Sequence, residues 1–201
     1  DAATTYEQGT AADIVAGAEV DVSAVAGAGG ALLATEVEFE AEKIVEIAAT
    51  VERVDAAAGS LQLVGVTVLV EDGTRFEDDS DLDLRRFSLA DVNVGDYLEV
   101  GGSESGSAAD EIAAALVKRD DDGGNEVEVQ ARVQSVDQPD FTLLGITVRT
   151  TAETEFEGDD DDAGLTAAEF FAVAEGRIVE VEGTWDGSVL TAEEVEFEVE
   201  D

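Results

Sequence analysis

The chain has no cysteine, no histidine and no methionine, a single proline, and ten basic residues against 50 acidic ones. Without cysteine, neither disulfides nor thiolate metal sites can form. Without histidine, the usual general base and the usual zinc ligand are missing. A chain free of methionine does not begin at a translation start, so it is expected to be a processed mature form or a piece of a longer protein. Aromatic residues make up only 5%, so any core must be small and aliphatic. No apolar run approaches the ~20 residues of a membrane span, which argues against membrane insertion. Nucleic-acid binding runs on Lys and Arg releasing counterions from phosphates, and no basic stripe exists here. Anionic membrane surfaces are disfavoured for the same reason.

What is present is acid. The net charge is -40 over 201 residues. Self-repulsion at that density opposes the compact state. Salt relieves it, because the Debye length shrinks to about 3 Å at 1 M. All the basic residues except Lys43 and Lys118 are arginine. An acid-rich, Lys-poor chain is expected of a salt-adapted protein in a saline environment.

A repeat begins part-way along. Val64-Gly65-Val66-Thr67-Val68, then Thr74-Arg75-Phe76-Glu77, recurs as Leu144-Gly145-Ile146-Thr147-Val148, then Thr154-Glu155-Phe156-Glu157. The opening Thr4-Thr5-Tyr6-Glu7 matches only the second half of that signature. The chain therefore divides into the C-terminal half of a repeat unit (1–42) and two complete units (43–122 and 123–201). A period of about 80 residues suits compact domains rather than a thin solenoid.

Strand signals dominate each unit. Val195, Phe197 and Val199 alternate with Glu194, Glu196, Glu198 and Glu200, as on a half-buried strand with a solvated acidic face. Glu36 to Glu40 repeats that pattern one-half unit into the chain. Val45, Ile47, Ala49 and Val51 alternate in the same way, as do Val127, Val129, Ala131 and Val133. Gly65 and Gly145, each inside an apolar hairpin, predict a bulge or a sharp strand bend. Gly101-Gly102-Ser103 and Trp185-Asp186-Gly187 predict hairpin turns. One short helical turn per unit is expected, at Thr10–Asp13, Ser88–Asp91 and Thr166–Glu169. The last has the capping-box pattern. Ser107–Val117 is Ala-rich enough for a helix, but register with the other units predicts a strand near Glu111–Arg119. Asp120-Asp121-Asp122-Gly123-Gly124 reads as a flexible hinge, and Ala41-Glu42-Lys43 as a tighter junction.

The shared pattern resembles the uncharacterised bacterial family called domain of unknown function 5666. Val54, Asp55, Gly65, Thr67, Thr74, Phe76, Asp91, Gly95, Asp96 and Val100 carry it in the first complete unit. Val136, Asp137, Gly145, Thr147, Thr154, Phe156, Gly176, Val181 and Gly183 carry it in the last. Arg177 departs from it, standing where the family usually has an acid. The resemblance implies an exported, all-β chain of tandem small OB-like β-barrel domains. It brings no catalytic residues.

Candidate sites are sparse. Glu155, Glu157, Asp159, Asp160, Asp161 and Asp162 crowd one loop, and Glu77, Asp78, Asp79, Asp81 and Asp83 crowd its counterpart. Calcium and other hard cations want six to eight oxygens, which such loops supply. Neither run has the spacing of an EF-hand, and a solvated salt-adapted loop is the plainer account of both. No catalytic residue is assigned. Val20, Val22, Val37 and Phe39 form strand faces that the missing strands of the half unit would leave bare. Trp185, beside a hairpin tip, and the basic pair Arg85 and Arg86 are further candidates for an assembly interface. The expectation is a non-enzymatic extracellular or cell-surface bacterial protein. It would self-associate head-to-tail into a filament or surface layer by strand addition. A calcium-binding or adhesive surface module is the alternative.

Overall fold

The computed structural model describes residues 4–7, 20–27, 32–39, 45–105, 108–121, 126–158 and 164–198. The chain separates into two compact units, Asp1–Glu42 and Lys43–Asp201. Among the described residues it is nearly all β, interrupted by one α-helix, α1 (Ala167–Phe171), and a 3-10 turn at Leu89–Asp91.

In the first unit, β1 (Thr5–Glu7), β2 (Val20–Ala26) and β3 (Leu32–Phe39) form a sheet in the order β1-β3-β2. β1 runs parallel to β3, and β2 runs antiparallel to it.

The second unit starts with β4 (Val45–Asp55), β5 (Ser60–Leu63), β6 (Val66–Asp78), β7 (Tyr97–Glu104) and β8 (Glu111–Asp120). β4 pairs with β5, β5 with β6, β6 with β8, β8 with β7, and β7 back with β4. The result is a closed barrel of five strands, in which β6–β8 is the parallel pair. β9 (Glu126–Asp137), β10 (Asp140–Leu143), β11 (Ile146–Arg149), β13 (Ile178–Trp185) and β14 (Val189–Phe197) repeat the same order of pairing. The short β12 (Glu155–Glu157) lies beside β14.

The alternation read from the sequence sets what faces inward. Val45, Ile47, Ala49 and Val51 of β4 are buried, as are Val127, Val129, Ala131 and Val133 of β9. Helix α1 adds the aromatic part of the core. Its Thr166 side chain accepts the Glu169 N–H, while the Glu169 carboxylate reaches back to Thr166. That capping box aims Phe170 inward, within 5.0 Å of both the Phe156 and Phe197 rings.

The threonine of the repeat signature has a structural role. Thr74 Oγ1 donates to the Ala114 carbonyl at 2.7 Å, and Thr154 Oγ1 to the Ala192 carbonyl at 2.8 Å. Thr4 Oγ1 donates to the Ala34 carbonyl at 2.9 Å, so the first sheet and both five-strand rings share this latch between their parallel strands. Each of these carbonyls lies where the ladder shifts register, and the hydroxyl takes the place of a ladder donor.

The glycines at 65 and 145 mark tight turns rather than bulges. Val64 and Gly65 have φ of 43° and 80°, and Leu144 and Gly145 have 47° and 71°, as in two-residue type I′ hairpins. A left-handed non-glycine residue costs about 1–2 kcal/mol. Val64 and Leu144 are 1% and 0% exposed, and burying such a side chain returns about 1.5–3 kcal/mol. Burial outweighs the backbone cost, which is why an aliphatic residue stands where asparagine or glycine is usual. The bulges fall instead on the facing strands, at Glu52 and Gln134.

Gly101-Gly102-Ser103 is strand, not hairpin turn. A Cβ on Gly102 would lie 2.2 Å from the Ala113 carbonyl oxygen, and one on Gly183 would lie 2.1 Å from that of Thr191. These glycines serve close strand approach. The strand expected near Glu111–Arg119 is β8.

The expected hinge does not separate the two barrels. Residues 122–125 lie outside the described ones, but β4 and β9 pair antiparallel around Ile47↔Val129. Ile47 and Val129 are equivalent in the two repeats, so the junction is a pseudo-two-fold contact within one 11-stranded sheet. The bulged residues complete it reciprocally. Glu52 accepts the Gly65 N–H and the Trp185 Nε1–H (2.7 Å). Gln134 accepts the Gly145 N–H and donates to the Ala109 carbonyl. The division of the chain falls at Glu42/Lys43, where the sequence predicts the tighter junction.

Candidate functional site

The acidic loop after β6 is organised around the chain's own cations. Asp78 and Arg119 face each other across the parallel β6–β8 pair. Arg119 donates from Nε at 2.9 Å and from Nη2 at 2.6 Å to the two oxygens of Asp78. The side chains are 0% and 4% exposed. Asp78 also accepts from the Ser80 hydroxyl and the Leu84 N–H. Arg119, supported by Ser80 and Leu84 and opposed by burial, holds the Asp78 carboxyl far below the usual carboxylate range. The guanidinium stacks on Phe87 at 4.4 Å.

Asp78 is therefore saturated by the chain's own donors and does not serve as a cation ligand. Glu77 pairs with Arg75 at 3.0 Å, and Asp79 lies 3.8 Å from Lys118. Asp81 and Asp83 are exposed loop residues, and Asp83 sits at φ 43°. The structure does not gather these five carboxylates into one site. In the counterpart loop, Asp159, Asp160, Asp161 and Asp162 lie outside the described residues.

The carboxylates that do converge lie on a sheet face. Among the described residues, Glu157, Glu194 and Glu196 form one group with ligand atoms within 4.8 Å of one another, and Glu180, Glu196 and Glu198 form another. Cross-strand register builds them. Glu182 stands between Glu128 and Glu194, and Glu194 is also beside Glu155. Glu180 stands between Gln130 and Glu196, which is beside Glu157. Like charges directly opposite each other destabilise a pair of strands. Partial burial and the neighbouring Glu128, Glu198, Glu182 and Glu196 push Glu180 up to about 7. Burial raises Glu128 and Glu194 as well, with the surrounding glutamates adding to it.

The first barrel resolves the same positions differently. Lys118 occupies the position of Glu196 and binds Glu99, the counterpart of Glu180, at 2.9 Å. Arg119 occupies the position of Phe197, and Asp78 that of Gly158. One barrel sets Lys118 and the Arg119–Asp78 pair at these positions, whereas its sister has Glu196 outside and Phe197 inside, with Arg177 over the Phe197 ring at 4.1 Å.

Of the sequence-predicted assembly residues, Trp185 is engaged within the chain. It donates to Glu52 and lies over Gly65, so it anchors barrel to barrel. Val22 is exposed at 53%, while Val37 on the central strand is buried at 4%, so the face of the first sheet is not bare throughout. The side chains of Val20 and Phe39 lie outside the described ones. Val25, Leu32 and Leu33, all exposed, extend the apolar patch beyond the predicted residues. Arg85 and Arg86 are exposed. Glu194, Glu196 and Glu198 were legible only as a solvated strand face, because alternation shows which face is acidic but not that Glu180 and Glu182 lie beside it.

The chain matches no curated protein and no solved structure. A family model described as domain of unknown function (DUF5666) matches residues 1–38, 49–113 and 130–196, the first segment lying within Asp1–Glu42 and the other two within Lys43–Asp201. The chain, built from repeats of that domain, belongs to the DUF5666 family.

Proposed function

We propose that this chain is a non-enzymatic structural protein of the bacterial exterior, adapted to saline surroundings, whose tandem OB-like barrels assemble into a filament or surface layer. Two features support the OB-like reading. In each barrel the first strand meets the second and fourth, and the third closes on the fifth in parallel. A helical turn sits between the third and fourth strands.

The observation that carries the assembly reading is the first unit. β1, β3 and β2 pair as the third, fifth and fourth barrel strands do. Among the described residues this sheet has no counterparts of β4 and β5. Val22, Val25, Leu32 and Leu33 are exposed there. A two-stranded segment added to the sheet edges would close the ring and cover apolar surface. Supplied by a second copy, such a segment makes a head-to-tail contact that propagates.

Negative-stain electron microscopy of the purified chain over a range of salt and protein concentrations tests the reading. Filaments or sheets are expected. Monodisperse particles at high concentration in every salt would sink it.

The converging glutamates favour a second reading, a cation-binding or adhesive module. Calcium or another hard cation would be held by Glu157, Glu194 and Glu196, or by Glu180, Glu196 and Glu198. Calorimetric titration with calcium, and a melting temperature that falls on chelation, are its expected signatures. A chelator-insensitive melt would remove it.

A further inference from the structure

We propose that the loop carrying Leu82, Leu84, Arg85 and Arg86 is a docking surface, and that its occupant is the glutamate-lined sheet face of a second copy of this chain. The inference rests on the self-assembly reading above but uses a different surface from the open first sheet.

The loop is fixed at both ends. Asp78 is clamped by Arg119 at its start, and Phe87 is buried under the same guanidinium at its end. Between them the backbone is tied down. Leu84 N–H donates to Asp78 at 2.7 Å, and Asp83 N–H to the Ser80 carbonyl at 3.0 Å. Yet the side chains point outward, with Leu82 66% and Leu84 39% exposed. Such a loop loses little conformational freedom on docking, which favours affinity.

Its charge is out of place. Acids outnumber bases by 50 to ten in this chain, so an arginine finds a carboxylate readily. Arg75, Lys118, Arg119 and Arg149 all do. Arg85 and Arg86, adjacent in sequence, form no ion pair or hydrogen bond in the described structure.

The complement lies on the second barrel of the same chain. The Glu128–Glu182–Glu194 row and the Glu180–Glu196 pair are like charges in direct cross-strand register. In the first barrel the position of Glu196 belongs to Lys118, which binds Glu99. The first barrel thus shows a cation accepted among the carboxylates of this sheet face, and a guanidinium bonds two carboxylate oxygens at once. The two exposed leucines make the occupant a protein surface rather than a free ion. A nucleic acid would meet the repulsion of the whole chain. Because loop and face sit on different barrels, the contact is heterologous, and it extends into a filament where its rotation does not close a ring.

The test uses the full chain in sedimentation velocity at about 1 M salt, where general repulsion is confined to about 3 Å. Two variants are compared, R85E/R86E and E182K/E194K, each first shown to melt as the wild type does. Wild type is expected to associate. Each variant alone should associate about 30-fold or more weakly, and an equimolar mixture of the two should recover association. If R85E/R86E associates like the wild type, or the folded variants fail to recover it on mixing, this inference is wrong while assembly through the first sheet stands. If the wild type stays monomeric throughout, both readings fall together.

Discussion

Replacing Arg119 with leucine should destabilise the second unit by about 3 kcal/mol. The substitution leaves the Asp78 carboxylate, 0% exposed, with only Ser80 and Leu84 as partners. Breaking a buried ion pair from one side costs about 3–5 kcal/mol. The lower end applies because the Asp78 residue as a whole is only half-buried, so water reaches its backbone. For a unit of this size, about 3 kcal/mol lowers the melting temperature by about 6–12 °C. The sister barrel supplies the control. The double variant R119F/D78G copies the Phe197/Gly158 arrangement and should recover most of the loss, since an apolar replacement of a buried pair is often neutral. Thermal and urea melts followed by far-UV circular dichroism measure both. The loss should also depend on pH. Asp78 titrates far below its unfolded value, so its stabilisation is present above about pH 4 and lost as pH falls through the folded value. The gap between wild type and R119L should therefore narrow in acid. A single variant costing under about 1 kcal/mol, or a double variant no better than the single, would refute the reasoning.

Glu180 predicts the opposite pH trend. Its folded pKa of about 7 is raised above the unfolded value, so stability should be greatest below about pH 4.5 and decline as pH rises through 7. Melting temperatures at constant ionic strength check this, and Glu180→Gln should flatten the curve. Thr154→Val should cost about 1–2 kcal/mol, because the Ala192 carbonyl and the Thr151 N–H each lose a partner. Equilibrium urea unfolding would measure that loss. Stability should rise steeply from low salt to 2 M through screening, and equal melting temperatures at the two ends would contradict the charge argument.

Strand positions were legible because alternation reports burial directly. Val127 to Val133 follow it throughout, and Val45 to Val51 do so except at Ala48, which is buried where β4 meets β9. The strand at Glu111–Asp120 was recoverable only through the repeat, since its alanines favour helix in isolation. The threonine latch was visible as a motif, but its partner carbonyls lie 30 to 40 residues away. The barrel junction was not legible. Asp120–Gly124 has the composition of a hinge, whereas the contact that overrides it is made by Ile47, Val129, Glu52 and Trp185, whose proximity depends on strand pairing. The acidic loop misled for a related reason. Asp78 is one of several aspartates in sequence, and only the parallel β6–β8 register reveals that Arg119 claims it.

The self-symmetric β4–β9 contact has a consequence for dilution. Two separate barrels meeting across such an axis would be a dimer, governed by concentration. Here residues 121–125 tether the partners, and a short link sets an effective concentration on the order of millimolar. The pair stays closed however dilute the chain becomes. Its two halves are also free to diverge, because a change in one is no longer copied into the other. The Lys118 and Arg119 of one barrel, against the Glu196 and Phe197 of its sister, are that divergence already written.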